Sequence, residues 1–351
     1  MARIRRRRQE RPDAGPDELG RQARALADQH LLLIPSTIDV TEVSELLRAR
    51  LPSSDLAGTG EVRIGRHGRI TGPYELSMED AVDAAVPMPW TVCYALQVPV
   101  EREDPASPGT DDRDGFASAF PEGLPWRDEG RALHLLVAVA RRLGGAVRTA
   151  GTLQVIQPDP DRAIDYTVHA PFWLDPDVLV TVLSRELPGA ELAVHGPDWH
   201  GPSDEVYSGQ AYADVADRHP DPLTGDELEA LHVAADQADL QALGGPNVLD
   251  GYALTGGLGA DGDVEVAVHI GAADDPAVAD RPWADRPFVS YDIRWLCPQP
   301  WERERRAPTG IYLNARARVA PVIRGVTSAV LEATSGLVTD EDGFWLDRYA
   351  L

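Results

Sequence analysis

The feature that most constrains the fold of this chain is that it says nearly the same thing twice. Residues 30–52 (HLLLIPSTIDVTEVSELLRARLP) lie over residues 166–188 (YTVHAPFWLDPDVLVTVLSRELP) without a gap, so that Pro35, Asp39, Leu47, Leu51 and Pro52 meet Pro171, Asp175, Leu183, Leu187 and Pro188. Each copy reads as a short apolar strand, a turn containing proline, an Asp at the helix N-cap and an amphipathic helix ending near Leu-Pro. Asp39 with Glu42 also has the spacing of a capping box. Further on, residues 92–96 (VCYAL) match residues 289–293 (VSYDI) as strands, and the Pro-Trp pairs ending at Trp126 and Trp301 each introduce a run of mixed charge. Long amphipathic helices over 131–143 and 315–334 then stop at Gly144 and Gly336, a residue suited to a left-handed C-cap.

The order in each half is strand, helix, strands, helix, strand. This predicts an α+β protein made of a tandem ferredoxin-like (βαββαβ) duplication, with antiparallel sheets covered by helices on one face. Asp-Gly chemistry at residues 261–263 and 340–343 predicts hairpin turns. The expected organisation is a disordered basic arm over 1–15, a first α+β repeat with a leading helix over 16–158, and a second repeat over 164–351. The Pro- and Asp-rich stretch 156–163 reads as a linker. Two insertions break the symmetry: a long mobile loop is expected over 101–123, and 197–250 forms an added segment in the second half. The pattern resembles the general class of duplicated ferredoxin-like pseudodimers, a likeness of fold that implies no function.

Composition narrows the partners. The 351 residues carry a formal net charge of -24 and no lysine, so every fixed positive charge is a guanidinium. Such a field repels nucleic acid and anionic lipid and favours a basic protein partner. Six arginines (3, 5, 6, 7, 8 and 11) against Glu10 reverse the sign at the N-terminus, making the Arg3–Arg11 arm the one segment suited to nucleic acid. The arm is followed by proline, acids and glycine instead of an apolar run, and no stretch of 18 apolar residues occurs, which predicts a soluble, cytoplasmic protein without membrane association. Cys93 and Cys297 are far apart and form no CxxC, giving neither a disulfide framework nor a cysteine zinc site.

Residues 194–205 (VHGPDWHGPSDE) hold the densest candidate chemistry. His195, Asp198 and His200 form a nitrogen and oxygen donor set suited to a divalent metal such as zinc, with Asp204 and Glu205 as further acids, although glycines and prolines deny the segment a helical spacing. His134 falls on the apolar face of a helix and is expected in the core, His169 and His269 lie within strands, and His30, His67, His219 and His232 have no acidic or nucleophilic neighbour at a telling spacing, so none is given a role. There is no GxSxG elbow and no phosphate loop, residues 340–343 (DEDG) lack the ligand spacing of a calcium loop, and the paired tryptophans are expected to anchor the helix starts. The resulting expectation is a non-catalytic protein-binding module, an inhibitor, regulator or scaffold with a basic protein partner and no cofactor. The alternative is a metal-dependent hydrolase using His195, Asp198 and His200.

Overall fold

The computed structural model describes residues 26–51, 54–107, 109–110, 112–193, 233, 251–271, 278, 281–283 and 287–346. The arginine arm, most of the leading helix and the bulk of the 197–250 insertion lie outside the described residues. The protein is a mixed α/β structure with two antiparallel sheets and several helices. No described helix is long and apolar enough to cross a membrane.

The first half comprises β1 (His30–Ile34), α1 (Val40–Arg50), α2 (Leu56–Thr59), β2 (Glu61–Ile64), β3 (Gly68–Glu75), α3 (Met78–Asp83), β4 (Val92–Gln97), α4 (Phe116–Ala119), α5 (Arg127–Leu143), β5 (Ala146–Arg148) and β6 (Val155–Ile156). Its sheet runs β2-β3-β4-β1-β5-β6. The second half comprises β7 (Tyr166–Ala170), α6 (Pro176–Leu183), β8 (Glu191–Leu192), β9 (Gly251–Gly257), β10 (Asp263–Ile270), β11 (Val289–Leu296), α7 (Gly310–Thr334), β12 (Leu337–Asp340) and β13 (Trp345–Leu346). Its sheet runs β13-β12-β7-β11-β10-β9-β8. In both sheets the opening strand lies centrally between antiparallel neighbours: Leu31 and Leu33 pair with Ala95 and Cys93, and Thr167 and His169 pair with Asp292 and Ser290.

Local chemistry explains the elements. Asp39 accepts from the Thr41 amide at 2.8 Å while Glu42 reaches back to the Asp39 amide at 3.1 Å, closing the expected capping box on α1. Asp175 occupies the N-cap of α6 without a side-chain cap bond. Gly144 takes the left-handed C-cap of α5 with φ 63°, whereas Ser335, not Gly336, takes it for α7 with φ 51°. Gly336 is required for a different reason, since a Cβ there would lie 2.4 Å from the His169 carbonyl oxygen.

One face of the first sheet packs Leu32, Ile34, Tyr94, Leu96 and Val147 against Val43 and Leu47 of α1 and Leu133, Leu136 and Val137 of α5. The opposite face carries Leu31, Leu33, Cys93, Ala95 and Ala146 and is closed by Ala81, Ala84, Val86 and Trp90, so helices and loop cover both faces where one was expected. The second sheet packs Val168, Ala170, Tyr291, Ile293 and Trp295 against Leu179 and Leu183 of α6 and Val319, Ile323, Val326 and Val330 of α7. Its other face is polar.

Two expectations are corrected here. Much of the stretch over 101–123 is anchored: Asp112 accepts from the Phe116 and Ala117 amides at 2.8 and 2.6 Å, and Phe116 and Phe120 enter the first core. The paired tryptophans do not anchor the helix starts, because Trp126 is 50% and Trp301 61% exposed.

The halves meet through the turn over 340–343. Asp340 pairs with Arg142, Asp342 with Arg141, and Glu341 with Arg113 and, at 3.3 Å, with Arg303. Arg50 donates to the Asp342 carbonyl at 2.6 Å, and Phe344, fully buried, is part of the first half's core. The linker is pinned as well, since buried Arg162 donates to the carbonyls of Arg113 at 3.1 Å and Arg305 at 2.6 Å.

Candidate functional site

A recess of about 490 Å³ lies on the polar face of the second sheet. Strand alternation builds it: Thr167 and His169 on β7, Ser290, Asp292 and Arg294 on β11, His269 on β10 and Thr339 on β12 all project to the side away from α6 and α7. Asp340, Glu341 and Gly343 of the β12–β13 turn line one flank, and Arg50 and Ala49 extend the wall to the first half.

The groups are tightly interconnected. His169, 4% exposed, sits between two hydroxyls, with Nε2 3.1 Å from Thr339 Oγ1 and Nδ1 3.3 Å from Ser290 Oγ. The Phe288 ring meets its imidazole edge-on at 6.0 Å. Asp292 accepts from Thr167 Oγ1 at 2.8 Å and from Arg294 at 2.7 Å, and faces His269 Nε2 at 3.4 Å. His269 Nδ1 lies 2.9 Å from the Ile270 carbonyl oxygen.

Burial shifts the acids along the flank. It pushes the Asp340 carboxyl above its ordinary value despite the Phe344 amide and Arg142, and it does the same to Glu341 despite Arg113. Burial likewise raises the Tyr166 phenol. Four carboxylates, Asp165, Asp292, Asp340 and Glu341, face two guanidiniums, Arg50 and Arg294, among the lining residues.

The arrangement suits hydrogen bonding to a polar or cationic group. A serine 3.3 Å from an imidazole has the outline of a nucleophile and base. Ser290, however, is mid-strand and pairs with both His269 and His169, so its backbone groups are engaged in the ladders and leave it no adjacent amide for an oxyanion.

The metal candidates His195, Asp198 and His200, with Asp204 and Glu205, lie outside the described residues. Among the described residues no group of three or more His, Cys, Asp or Glu could hold a metal ion. His134 is exposed, not in the core, and its ring rests 4.6 Å from that of Phe116.

Sequence reasoning passed over His169, His269, Ser290 and Asp292 because they are spread over three strands far apart in the sequence and form no motif within any one of them. The signal lay in the repeat. Overlaying residues 30–34 on 166–170 and 92–96 on 289–293 places Thr167 and His169 on Leu31 and Leu33, and Ser290 and Asp292 on Cys93 and Ala95. Four apolar residues of the first half answer four polar ones of the second, and the cross-strand pairs are the same.

His30 forms a separate buried cluster in the first half. The Ala150 amide donates to His30 Nδ1 at 2.9 Å, which directs an Nε2 proton toward Glu129 Oε1 at 3.1 Å. Glu129 also accepts from the Glu101 amide at 2.8 Å and pairs with Arg102. With every acceptor site engaged and no lining position in the recess, this cluster holds the fold together. No family model, no curated protein and no solved structure matches the chain.

Proposed function

We propose that the protein is a non-catalytic binding protein whose recognition site is the polar recess of the second sheet, and that its occupant is a basic side chain of a protein partner. The observation that carries this reading is the contrast at matched positions. Leu31, Leu33, Cys93 and Ala95 are sealed beneath an apolar cover, whereas Thr167, His169, Ser290 and Asp292 belong to a recess with twice as many carboxylates as guanidiniums. Keeping polar groups on a sheet face costs stability that an apolar face would supply, which favours a use in recognition. The net charge of -24 would steer a basic partner toward any acidic recess on the surface.

The same contrast supports tandem duplication. We infer that residues 16–158 and 164–351 are two copies of a ferredoxin-like βαββαβ unit, one of which spends its second sheet face on a core and the other on a site. The central order β5-β1-β4-β3 parallels β12-β7-β11-β10, and the matched registers run Leu31–Ala95 with Thr167–Asp292 and Leu33–Cys93 with His169–Ser290. The free thiols of Cys93 and Cys297 fit a reducing, cytoplasmic compartment.

Titration with an arginine-rich peptide tests the binding reading. Wild-type affinity should fall about tenfold or more between 50 and 300 mM salt, in keeping with screening of charge pairs. Asp292→Asn should weaken binding about tenfold at low salt, while Glu79→Gln, an exposed acid on α3, should leave it within about twofold. Equal losses from the two substitutions would mean that diffuse charge, not the recess, binds the peptide.

A further inference from the structure

A second recess, of about 430 Å³, lies between the halves, and among its lining residues arginines outnumber acids by four to three, Asp161, Asp340 and Asp342 being the acids. It is bounded by Arg141 and Arg142 at the end of α5, residues 160–164 of the linker, Tyr166, the exposed side of α7 and the 340–342 turn. In a chain without lysine, four of its lining residues are arginines: Arg141, Arg142, Arg316 and Arg324.

Partner accounting distinguishes these four. Arg141 is held by Asp114 and Asp342 through its two terminal nitrogens, although its Nε has no hydrogen-bond partner among the described residues, and Arg142 by Asp340 and the Trp345 carbonyl. Arg316 holds Asp159 at 2.8 Å through Nη2, but its Nη1 has no hydrogen-bond partner among the described residues although the residue is 7% exposed. Arg324 stands two turns further along α7, exposed, and makes no ion pair or hydrogen bond among the described residues. Tyr166, half-buried beside it, has a hydroxyl that makes no hydrogen bond among them either, and the positive charge of Arg324 acts on that phenol. Leu313, Ala317, Ala320, Ile164 and Leu346 complete an apolar wall.

We propose that this recess binds a small organic oxyanion, its phosphate or carboxylate head held by Arg324, Arg316 and the Tyr166 hydroxyl and its body against the apolar wall of α7. The donors are of the right kind: guanidinium forks and a phenol bond oxygen anions in the plane of the head group. An acceptor in the recess would also meet the unsatisfied nitrogen of Arg316, which a modest turn of that side chain brings to the ligand. Asp161 on the rim opposes the anion and holds the affinity to a moderate level.

The test is calorimetric titration and thermal shift of the full chain with sodium phosphate and with sodium succinate, each against sodium chloride at matched ionic strength. Saturable binding of either probe supports the site, and which of the two binds identifies the head group. Arg324→Gln, at an exposed position that folding does not need, should weaken that binding at least fivefold, Asp161→Asn should tighten it, and Asp292→Asn in the other recess should leave it unchanged. The proposal is overturned if neither probe exceeds the chloride control, or if Arg324→Gln and Asp161→Asn both bind as the wild type does.

Discussion

Glu129 shows how a carboxylate survives complete burial. Its removal from water would raise its pKa, yet the hydrogen bonds from His30 and the Glu101 amide and the Arg102 guanidinium outweigh burial, so the group lies below its ordinary value. A carboxylate with a depressed folded pKa contributes stability that is present above its unfolded value, near 4.5, and is lost as pH falls through the folded value. Glu129→Gln should therefore lower stability by about 2 kcal/mol at pH 7 and flatten the loss of urea midpoint between about pH 5 and 3. Midpoints of the two proteins that decline in parallel over that range would refute this account. A buried cation, Arg148, forms no ion pair among the described residues; it donates to the Leu26, Ala27 and Thr149 carbonyls, and burial, only partly offset by the charge of Asp28, lowers its pKa to about 10, still charged at neutrality.

Among elements, the β12–β13 turn has the widest reach. Its three acids meet arginines of both halves, its Gly343 adopts φ 76° beside Arg50, and Phe344 fills the first core. Phe344→Ala should cost about 3–5 kcal/mol, the usual effect of emptying a buried aromatic site, and calorimetry of the variant should show the first half melting earlier. A loss below about 1 kcal/mol would show that Phe344 is not part of that core. The sequence displayed this turn as an Asp-Gly hairpin tip, but its docking was illegible, because Arg50, Arg113, Arg141 and Arg142 lie some two to three hundred residues earlier, at no fixed spacing from it. The anchoring of Phe116 by Asp112 was hidden for the opposite reason. A short turn within a stretch rich in Pro, Asp and Gly has the composition of a loose loop, and only tertiary burial of the aromatic rings overrides that signal. By contrast, β1, α1, β4, β7 and β11 were legible from alternation, capping and helical spacing, since local chemistry decides them.

At the scale of the molecule, the ion pairs across the halves and the shared Phe344 make separate melting unfavourable. Calorimetry of the wild-type chain should show one transition, and Arg141→Ala, which leaves Asp114 and Asp342 unpaired in a half-buried seam, should split it into two. Two transitions already present in the wild type would mean that the seam couples the halves weakly. The recess on the second sheet was half legible for a related reason: the overlay of the matched segments supplies the four polar residues, but that they share a face with the β12–β13 turn and Arg50 follows from tertiary packing.

Translation proceeds from the N-terminus, and Phe344, whose ring belongs to the first sheet's core, follows nearly all of the second sheet's strands in the sequence. During synthesis Arg113, Arg141 and Arg142 and the apolar side chains around Phe344 therefore stay short of these partners until the β12–β13 turn has left the ribosome.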